Sequence, residues 1–600
     1  MNILSVENIS RSYGEKILFE NISFGLEHGE KTALIARNGA GKTTLLRILN
    51  GLDSPDSGKV TYRQGTRVAY LSQDLRFPND VTAAAYISKN KRVTDVLLGK
   101  ETSDDLNDDE KAEFGNIIST CGKLGLHNLN AQVNSLSGGN QKRLALAQVL
   151  LSDADLYILD EPTNHLDVEM IEWLEGFLTQ SNKAVFLVTH DRYFLDKVCD
   201  QILELDDNTL YRYRGDFGYF LEKKAQRLEI EKSHLSKMKN LFRRELDWMR
   251  KSPKARTTKS KSRQDSFYEI EDEAGKKINE DKISFNVNVS RIGSKILELH
   301  NVTKSFGEKK IIDKFNYVFK KGEKIGLVGR NGTGKTTFLK LVLGEIEPDS
   351  GKVVLGDTIV PGYFSQHVSG LNPSKRVLET LKEFGDFIPM AGGKKLSASQ
   401  LLEEFLFPPE LHYTFIEKLS GGEKRRLQLL TILIKNPNFL ILDEPTNDLD
   451  IDTLTVLEDY LGSFEGCVLI VTHDRFFMDR ITDHLFVFDG NGNVTDITGN
   501  YTEYRKQRKE LEKKNKNTDT TITSEPKKDK KASYKEKFEF EQLEKQMSAL
   551  EDKKRQLEEQ LAVHGLDHDK LTEISTQIGA VNRELDEKSL RWLELADKFA

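Results

Sequence analysis

The chain has 600 residues, 88 of them basic and 95 acidic, for a formal net charge of −7. This length suits several domains, and the slight acidic excess excludes a protein that is a polycation throughout. No apolar run approaches the roughly 18 residues of a membrane helix, which argues against a self-contained transporter. Three distant cysteines without metal-ligand spacing, and a start without a signal-peptide pattern, favour a reducing, cytoplasmic location.

Short apolar runs indicate the elements of an α/β fold. Ile3–Val6 and Thr32–Ile35 are predicted strands, and Lys42–Leu49 is a predicted helix that follows a Gly-rich turn. Leu156–Leu159 and Ala184–Val188 are continuously apolar. Such runs are typical of strands that are buried on both faces of a parallel sheet.

The Gly-rich segment occurs twice, and the same partner residues follow each copy in the same order. Tyr13 and Lys42 correspond to Phe306 and Lys335 at an offset of 293 residues (335 minus 42). Later motifs keep an offset of 283 (443 minus 160), so the first copy has ten extra residues after Gln73. The two segments are Ala36, Arg37, Asn38, Gly39, Ala40, Gly41, Lys42, Thr43 and Thr44, and Gly329, Arg330, Asn331, Gly332, Thr333, Gly334, Lys335, Thr336 and Thr337. Two such modules in one polypeptide can close on each other without a second chain, which favours a monomer.

Composition changes along the chain predict five parts. A charged helical pattern separates the two modules, a lysine-rich stretch predicts a disordered tether, and apolar residues at alternating spacings of three and four predict a coiled-coil hairpin. The parts are a first module (1–217), a linker (218–294), a second module (295–505), a basic tether (506–533) and an antiparallel helical hairpin (534–600). The predicted fold class is therefore α/β, with two tandem P-loop domains, a helical linker and a C-terminal hairpin.

Each Gly-rich turn joins a strand to a helix, so backbone N–H groups and the helix N-terminus can surround phosphate oxygens. Lys42 and Lys335 are expected to contact the β and γ phosphates of ATP, and Thr43 and Thr336 to hold Mg²⁺. Ala36 stands where the pattern has Gly. Its methyl group is expected to be tolerated, with some loosening of the first site.

Carboxylates follow an apolar strand in both copies. Asp160 and Asp443 are placed to reach a Mg²⁺-bound water, and Glu161 and Glu444 are the candidate general bases for the attacking water. The other candidates are Gln73 and Gln366 for Mg²⁺ and water, His190 and His473 for the γ-phosphate, and Tyr13 and Phe306 for stacking on adenine. Any one of these alone would more often be an ordinary structural residue, and the repetition of the whole set favours the catalytic interpretation.

This set of motifs resembles the ATP-binding cassettes, which implies an ATPase with a head-to-tail sandwich of the two modules. In that arrangement Lys42 faces Ser420, Gly421 and Gly422, and Lys335 faces Ser137, Gly138 and Gly139. Because both glutamates and both signatures are intact, two competent sites are expected. Tandem cassettes with a charged linker and no membrane segment resemble the ABC-F proteins, and the C-terminal hairpin is most similar to the Uup branch.

The linker independently indicates a nucleic-acid partner. From Arg250 to Arg263 there are seven basic residues and no acidic one, which is a phosphate-binding pattern unless it is simply a solvated charge run. The ABC-F resemblance implies a linker that reaches rRNA and P-site tRNA on the ribosome. The candidate contacts are Arg243, Arg244, Arg250, Lys251, Lys254, Arg256, Lys259, Lys261 and Arg263.

Two alternatives to a translation factor stay open at this point. The Uup resemblance implies an ATPase that acts on branched DNA through the C-terminal region. Residues 534–600 carry 11 basic and 16 acidic residues, so such binding would have to come from the basic tether or one face of the hairpin. The third candidate, the ATPase subunit of a transporter, is least favoured because the modules are fused and carry a basic linker. The short break at Ser252–Lys254 argues against antibiotic displacement.

Overall fold

The computed structural model describes residues 1–14, 16–75, 77–250, 267, 290, 292–365, 370–508 and 510. The chain divides into two compact units, Met1–Gln507 and Arg508–Ala600. The predicted hairpin (534–600) and most of the tether lie outside the described residues. So do Gln366 and the basic candidates Lys251, Lys254, Arg256, Lys259, Lys261 and Arg263.

The first module contains nine strands and seven helices of four or more residues within its described part, and one long helix follows it. Its strands are β1 (Asn2–Tyr13), β2 (Lys16–Glu27), β3 (Lys31–Ala36), β4 (Ser57–Tyr62), β5 (Val68–Leu71), β6 (Leu156–Asp160), β7 (Ala184–Val188), β8 (Gln201–Asp206) and β9 (Thr209–Arg214). Its helices are α1 (Lys42–Leu49), α2 (Ala83–Ile87), α3 (Lys91–Leu97), α4 (Asp108–Lys123), α5 (Gly138–Leu151), α6 (Val168–Gln180) and α7 (Arg192–Val198), followed by α8 (Phe217–Arg250).

The second module repeats the order of the main strands and has an additional two-stranded sheet, β15-β16. Its strands are β10 (Leu297–Phe306), β11 (Lys309–Val318), β12 (Lys324–Gly329), β13 (Ser350–Leu355), β14 (Pro361–Phe364), β15 (Phe387–Pro389), β16 (Lys395–Ser397), β17 (Phe439–Asp443), β18 (Cys467–Val471), β19 (His484–Phe488) and β20 (Val494–Thr498). Its helices are α9 (Lys335–Val342), α10 (Val377–Phe384), α11 (Ala398–Glu404), α12 (Pro409–His412), α13 (Gly421–Leu433), α14 (Ile451–Ser463) and α15 (Arg475–Ile481).

A six-stranded, mostly parallel sheet forms the centre of each module. The strand orders are β5-β6-β7-β3-β8-β9 and β14-β17-β18-β12-β19-β20, and only the last pair of each is antiparallel. The central strands are buried along their lengths, as their apolar sequences predict. Because the carboxyl ends of parallel strands meet at one edge, the Gly-rich loop after β3 lies beside the residues that follow β6 and β7.

Each module also has a small antiparallel sheet, with order β2-β1-β4 or β11-β10-β13. Apolar residues of this sheet and of the helix after the Gly-rich loop pack in one core against the central sheet. A second core fills the helical side of each module. The turn between β1 and β2, like the turn between β10 and β11, is thereby held near the Gly-rich loop of its module. No helix within the described residues is long and apolar enough to span a membrane.

Candidate nucleotide sites between the modules

The two Gly-rich loops have backbone conformations that require glycine. Gly41 and Gly334 precede helices α1 and α9 with φ of 101° and 107°, in the left-handed region. A Cβ at Gly41 would lie 3.1 Å from the Cβ of Leu18. At Gly334 the added carbon would collide with Ile311. Strand β2 or β11 therefore lies directly against each loop and fixes its shape.

The two loops differ at the position that is Ala36 in the first loop and Gly329 in the second. A Cβ at Gly329 would lie 2.8 Å from the hydroxyl of Thr333 and 2.9 Å from the carbonyl oxygen of Phe488. The position that corresponds to Thr333 in the first loop is Ala40, which has no hydroxyl there. The first loop therefore lacks one of the two closest contacts that a methyl group would meet at Gly329.

The loop lysines bend back over their own loops. Lys42 Nζ donates to the carbonyl oxygen of Ala36 (2.8 Å) and to Asn38 Oδ1 (3.2 Å). Lys335 Nζ donates to the carbonyl oxygen of Gly329 (2.6 Å). An ammonium group held this way lies inside the loop, where phosphate oxygens would approach.

Oxygen donors suitable for Mg²⁺ meet at the start of each loop helix. The hydroxyl of Thr43 donates to Asp160 (3.1 Å), and its oxygen lies 3.5 Å from Gln73 Oε1. In the second module Thr336 donates to Asp443 (3.3 Å). No cluster of three or more His, Cys, Asp or Glu ligands occurs within the described residues, so protein ligands alone do not form a metal cage. The donor set fits Mg²⁺, which usually combines one or two carboxylates with substrate phosphates and waters.

The candidate bases have a constrained backbone. Glu161 and Glu444 have φ of 49° and 51°, a left-handed conformation that costs a non-glycine residue about 1–3 kcal/mol. Their N–H groups donate to the carbonyl oxygens of Val188 and Val471, which hold this turn. One carboxylate oxygen of each glutamate is buried with no hydrogen-bond partner in the described structure. In Glu444 this oxygen is Oε2, which faces away from His473, so it can accept a hydrogen bond from a ligand or water. In Glu161 it is Oε1, the oxygen that also lies beside His190.

Burial dominates the electrostatics of these groups. It raises the pKa of Glu161 and of Glu444 to about 8, against the opposing effect of the nearby loop lysine. Burial also lowers the pKa of His190 and His473 well below the usual value, and the loop lysines add to this effect. The histidines lie 3.2 and 3.3 Å from their glutamates. Each pair thus combines a neutral imidazole with a carboxyl group whose pKa is suited to proton transfer near neutrality.

The second signature reaches the first Gly-rich loop across the module interface. A cleft of about 520 Å³ is lined by Tyr13 and Lys42 from the first module and by Ser420, Gly421 and Gly422 from the second. Two further contacts close this site, and the sequence analysis did not assign them. Asn38 donates its side-chain N–H to the carbonyl oxygen of Asp448 (2.7 Å) and its backbone N–H to Asp450 (2.9 Å).

The second site closes through related but looser contacts. The side chain of Asn331 donates to the carbonyl oxygen of His165 (3.3 Å), and Arg330 pairs with Glu169 (2.8 Å). Ser137, Gly138 and Gly139 begin helix α5, where Ser137 caps the helix. The described contacts to the second loop come from the residues after β6 rather than from this signature.

Two buried ion pairs cross the interface, and the sequence analysis missed them. Arg192 pairs with Glu458 (2.8 Å), and Arg475 pairs with Glu175. All four side chains are at most 5% exposed. The pairs exchange under the repeat, since Arg192 and Glu175 correspond to Arg475 and Glu458 at the offset of 283 noted above. The offset of 283 residues was the sequence signal that could have identified these arginines and glutamates as equivalent pairs.

The helix after each module also contacts the opposite module. Lys224 of α8 pairs with Asp452 (2.9 Å), the residue that also accepts from Arg37 of the first loop (3.2 Å). Residues 501–508 are helical, and Arg505 there pairs with Glu172. Closure at the first site therefore brings an acidic residue of the second module to the first turns of the linker helix.

The remaining candidates occupy exposed positions. Tyr13 and Phe306 are 52% and 53% exposed at the ends of β1 and β10, and the hydroxyl of Tyr13 donates to Asp53 (3.1 Å). Arg243 and Arg244 are exposed on α8, and Arg250 is its last residue.

Fold and sites together define a tandem ATP-binding cassette ATPase. A family model described as "ABC transporter" matches residues 19–164 and 312–447, another with that description matches 203–287, and "ABC transporter C-terminal domain" matches 531–597.

Curated relatives cover nearly the whole chain. "Uncharacterized ABC transporter ATP-binding protein YfmR" of Bacillus subtilis is 41% identical over 99% of both chains. "ATP-binding protein Uup" of Escherichia coli is 32% identical over 99% of this chain and 98% of Uup. "Energy-dependent translational throttle protein EttA" of Haemophilus influenzae is 34% identical over 82% of this chain and 93% of EttA.

The fold is also found in a solved structure. A crystal structure of archaeal ribosomal stalk protein aP1 with the recycling factor aABCE1 has a TM-score of 0.55 and 21% identity, and the match covers 82% of this chain and 90% of the other. The chain belongs to the ABC-F family of ATP-binding cassette proteins.

Proposed function

We propose that the protein binds two ATP molecules between its modules and uses their hydrolysis to switch conformation on the ribosome. The observation that carries the ATP part is the bonding of Asn38 to Asp448 and Asp450, which joins one Gly-rich loop to the opposite module beside a signature. Closure over nucleotide and opening after hydrolysis would then be the working movement.

Each site has residues for distinct tasks. Lys42 and Lys335 would bind phosphate oxygens, and the hydroxyls of Thr43 and Thr336 with Asp160 and Asp443 would hold Mg²⁺. The bound ion would offset the negative charge of the phosphates. Glu161 and Glu444 would accept a proton from the attacking water. His190 and His473 would orient these groups, because each lies within 3.3 Å of its glutamate.

The ribosomal part rests on the relatives and on the linker. EttA carries the name of a translational throttle, and its match covers 82% of this chain. The linker sequence from Arg250 to Arg263 is strongly basic, and its helix begins at the module interface. Lys224 provides a direct route by which closure at the first site would reorient that helix toward tRNA or rRNA.

The experiment traps the closed state in cells. Glu161→Gln with Glu444→Gln should retain ATP binding and block hydrolysis. We expect this variant to sediment with ribosomes in an ATP-dependent manner and to arrest growth. Adding Lys42→Ala and Lys335→Ala is the matched control and should abolish both effects. A trapped variant that stays off ribosomes would refute the ribosomal role, and its recovery on DNA would favour the alternative DNA-acting function.

A further inference from the structure

A second lysine lies at each Gly-rich loop, outside the loop itself. Lys16 and Lys309 begin strands β2 and β11, directly opposite Tyr13 and Phe306 in the antiparallel pairing. The same four-residue sequence pattern occurs in both modules, an aromatic residue followed by Gly, Glu and Lys. Directly paired residues of an antiparallel ribbon have side chains on the same face. Each lysine therefore accompanies the aromatic residue proposed to stack on adenine.

The strand and the loop are in register. Leu18, two residues after Lys16, packs against Gly41. The Nζ of Lys16 lies 3.5 Å from the point that a Cβ would occupy if Gly39 carried one. In the second module Ile311 packs against Gly334, and Lys309 Nζ donates to the carbonyl oxygen of Gly332 (2.8 Å). Side chains two apart on a strand share a face, so the apolar contact fixes the ammonium group above the loop.

The positive charges of Lys16 and Lys309 beside the Gly-rich loops need an explanation. The loop N–H groups and the helix N-terminus already make this region electropositive, and Lys42 adds a cation. Among the described residues, the neighbouring ion pairs are Arg37 with Asp452 and Lys310 with Asp313, and none is described for Lys16 or Lys309. Glu423 approaches the Cβ position of Gly39 to 4.0 Å, but its other carboxylate oxygen accepts from Ser420. Two extra cations at a positive loop are favourable when an anion is bound there.

We propose that Lys16 and Lys309 bind the phosphate chain of the nucleotide from the hairpin side, opposite the loop lysines. This assignment rests on the proposed ATP binding at the two loops. An ammonium group has three donors, and Lys309 uses one of them on the loop carbonyl, which leaves donors for phosphate oxygens. Each hairpin would thus hold the base with its aromatic residue and the phosphates with its lysine.

The test measures nucleotide affinity in the full-length chain with Glu161→Gln and Glu444→Gln, so that no turnover intervenes. Lys16→Met with Lys309→Met should weaken both ATP and ADP binding by about tenfold per site, which corresponds to about 1.4 kcal/mol for one charged hydrogen bond. The loss should diminish at high salt. Lys16→Arg with Lys309→Arg should keep affinity within about twofold of the parent.

Lys310→Met is the matched control, because Lys310 is the exposed neighbour and pairs with Asp313 instead (2.9 Å). It should leave both affinities unchanged. Affinities of the Met variant within about twofold of the parent would overturn the proposal. If the melting temperature of the Lys16→Met, Lys309→Met protein falls, Lys16→Gln with Lys309→Gln provides the same comparison. ADP binding needs no module closure, so its result separates the lysine assignment from any failure of the ATP sandwich.

Discussion

Glu458→Gln should hinder closure of the two modules, because it removes one charge of a buried pair that crosses their interface. Glu458 has a side-chain exposure of 0% and accepts from Arg192 (2.8 Å) of the first module and from Arg480 (2.6 Å) of its own module. Arg480 would keep its contact with Asp459 (2.9 Å). Arg192, at 4% exposure, would lose this ion-pair partner, and the buried Asp474 would be the remaining carboxyl group that acts on it.

The expected magnitude follows from this burial. Breaking a buried ion pair by removing one charge costs about 3–5 kcal/mol, since the other charge stays buried and uncompensated. Glutamine can still accept one hydrogen bond from Arg192, so the lower figure applies. A cost of about 3 kcal/mol corresponds to about 150-fold in the closing equilibrium. Turnover should fall by a similar factor if closure limits it.

A double-mutant cycle with Arg192→Met measures this interaction directly. We would record ATP turnover and the distance between fluorophores on the two modules, and compare both single variants with the double variant. Because the partners touch, the double variant should recover much of the loss, with a coupling of at least about 1 kcal/mol. Asp459→Asn is the control at an exposed pair and should change turnover little. Additive losses in the cycle would refute the reasoning.

Three further changes test other parts of the site. Gly334→Ala adds a Cβ to a residue with φ of 107°, which costs about 1–2 kcal/mol in backbone strain, and this Cβ also collides with Ile311. Calorimetry should therefore detect no ATP binding at the second site, and normal binding would contradict the loop geometry. Gly329→Ala should weaken ATP binding at that site, and adding Thr333→Ala should restore part of it, since this removes the hydroxyl at 2.8 Å and leaves the carbonyl oxygen of Phe488 at 2.9 Å; no recovery would show that the hydroxyl of Thr333 is not an obstacle. Lys224→Met should leave ATP affinity unchanged but reduce the stimulation of ATP turnover by ribosomes, because it removes the ion pair between Asp452 and the linker helix α8. Full stimulation would show that this ion pair does not couple the first site to the linker helix.

The repeated motifs predicted the α/β fold and the ends of its central elements well. Lys42–Leu49 is the helix that the Gly-rich turn predicted, and Ala184–Val188 is a fully buried strand. Both predictions depend on local signals, namely a glycine turn and a continuous apolar run. The position of Asp160 at the end of β6 was predictable from the apolar run that precedes it.

The contacts across the module interface could not be predicted in this way. Asp450 accepts from Asn38 although 412 residues separate them, and no local pattern indicates that partner. Glu175 and Glu458 lie in helices α6 and α14, where a charged residue would ordinarily be read as solvated. Only the closed arrangement of two modules buries them against arginines.

The number of ATP molecules bound by one chain is the first measurement to make on the two proposed sites. Full-length protein with Glu161→Gln and Glu444→Gln would be equilibrated with labelled ATP and Mg²⁺, and its mass would be measured in the same solution. We expect two ATP per chain on a monomer, because each loop has its signature in the same polypeptide. One ATP per chain, or a dimer that forms only with ATP, would contradict this expectation.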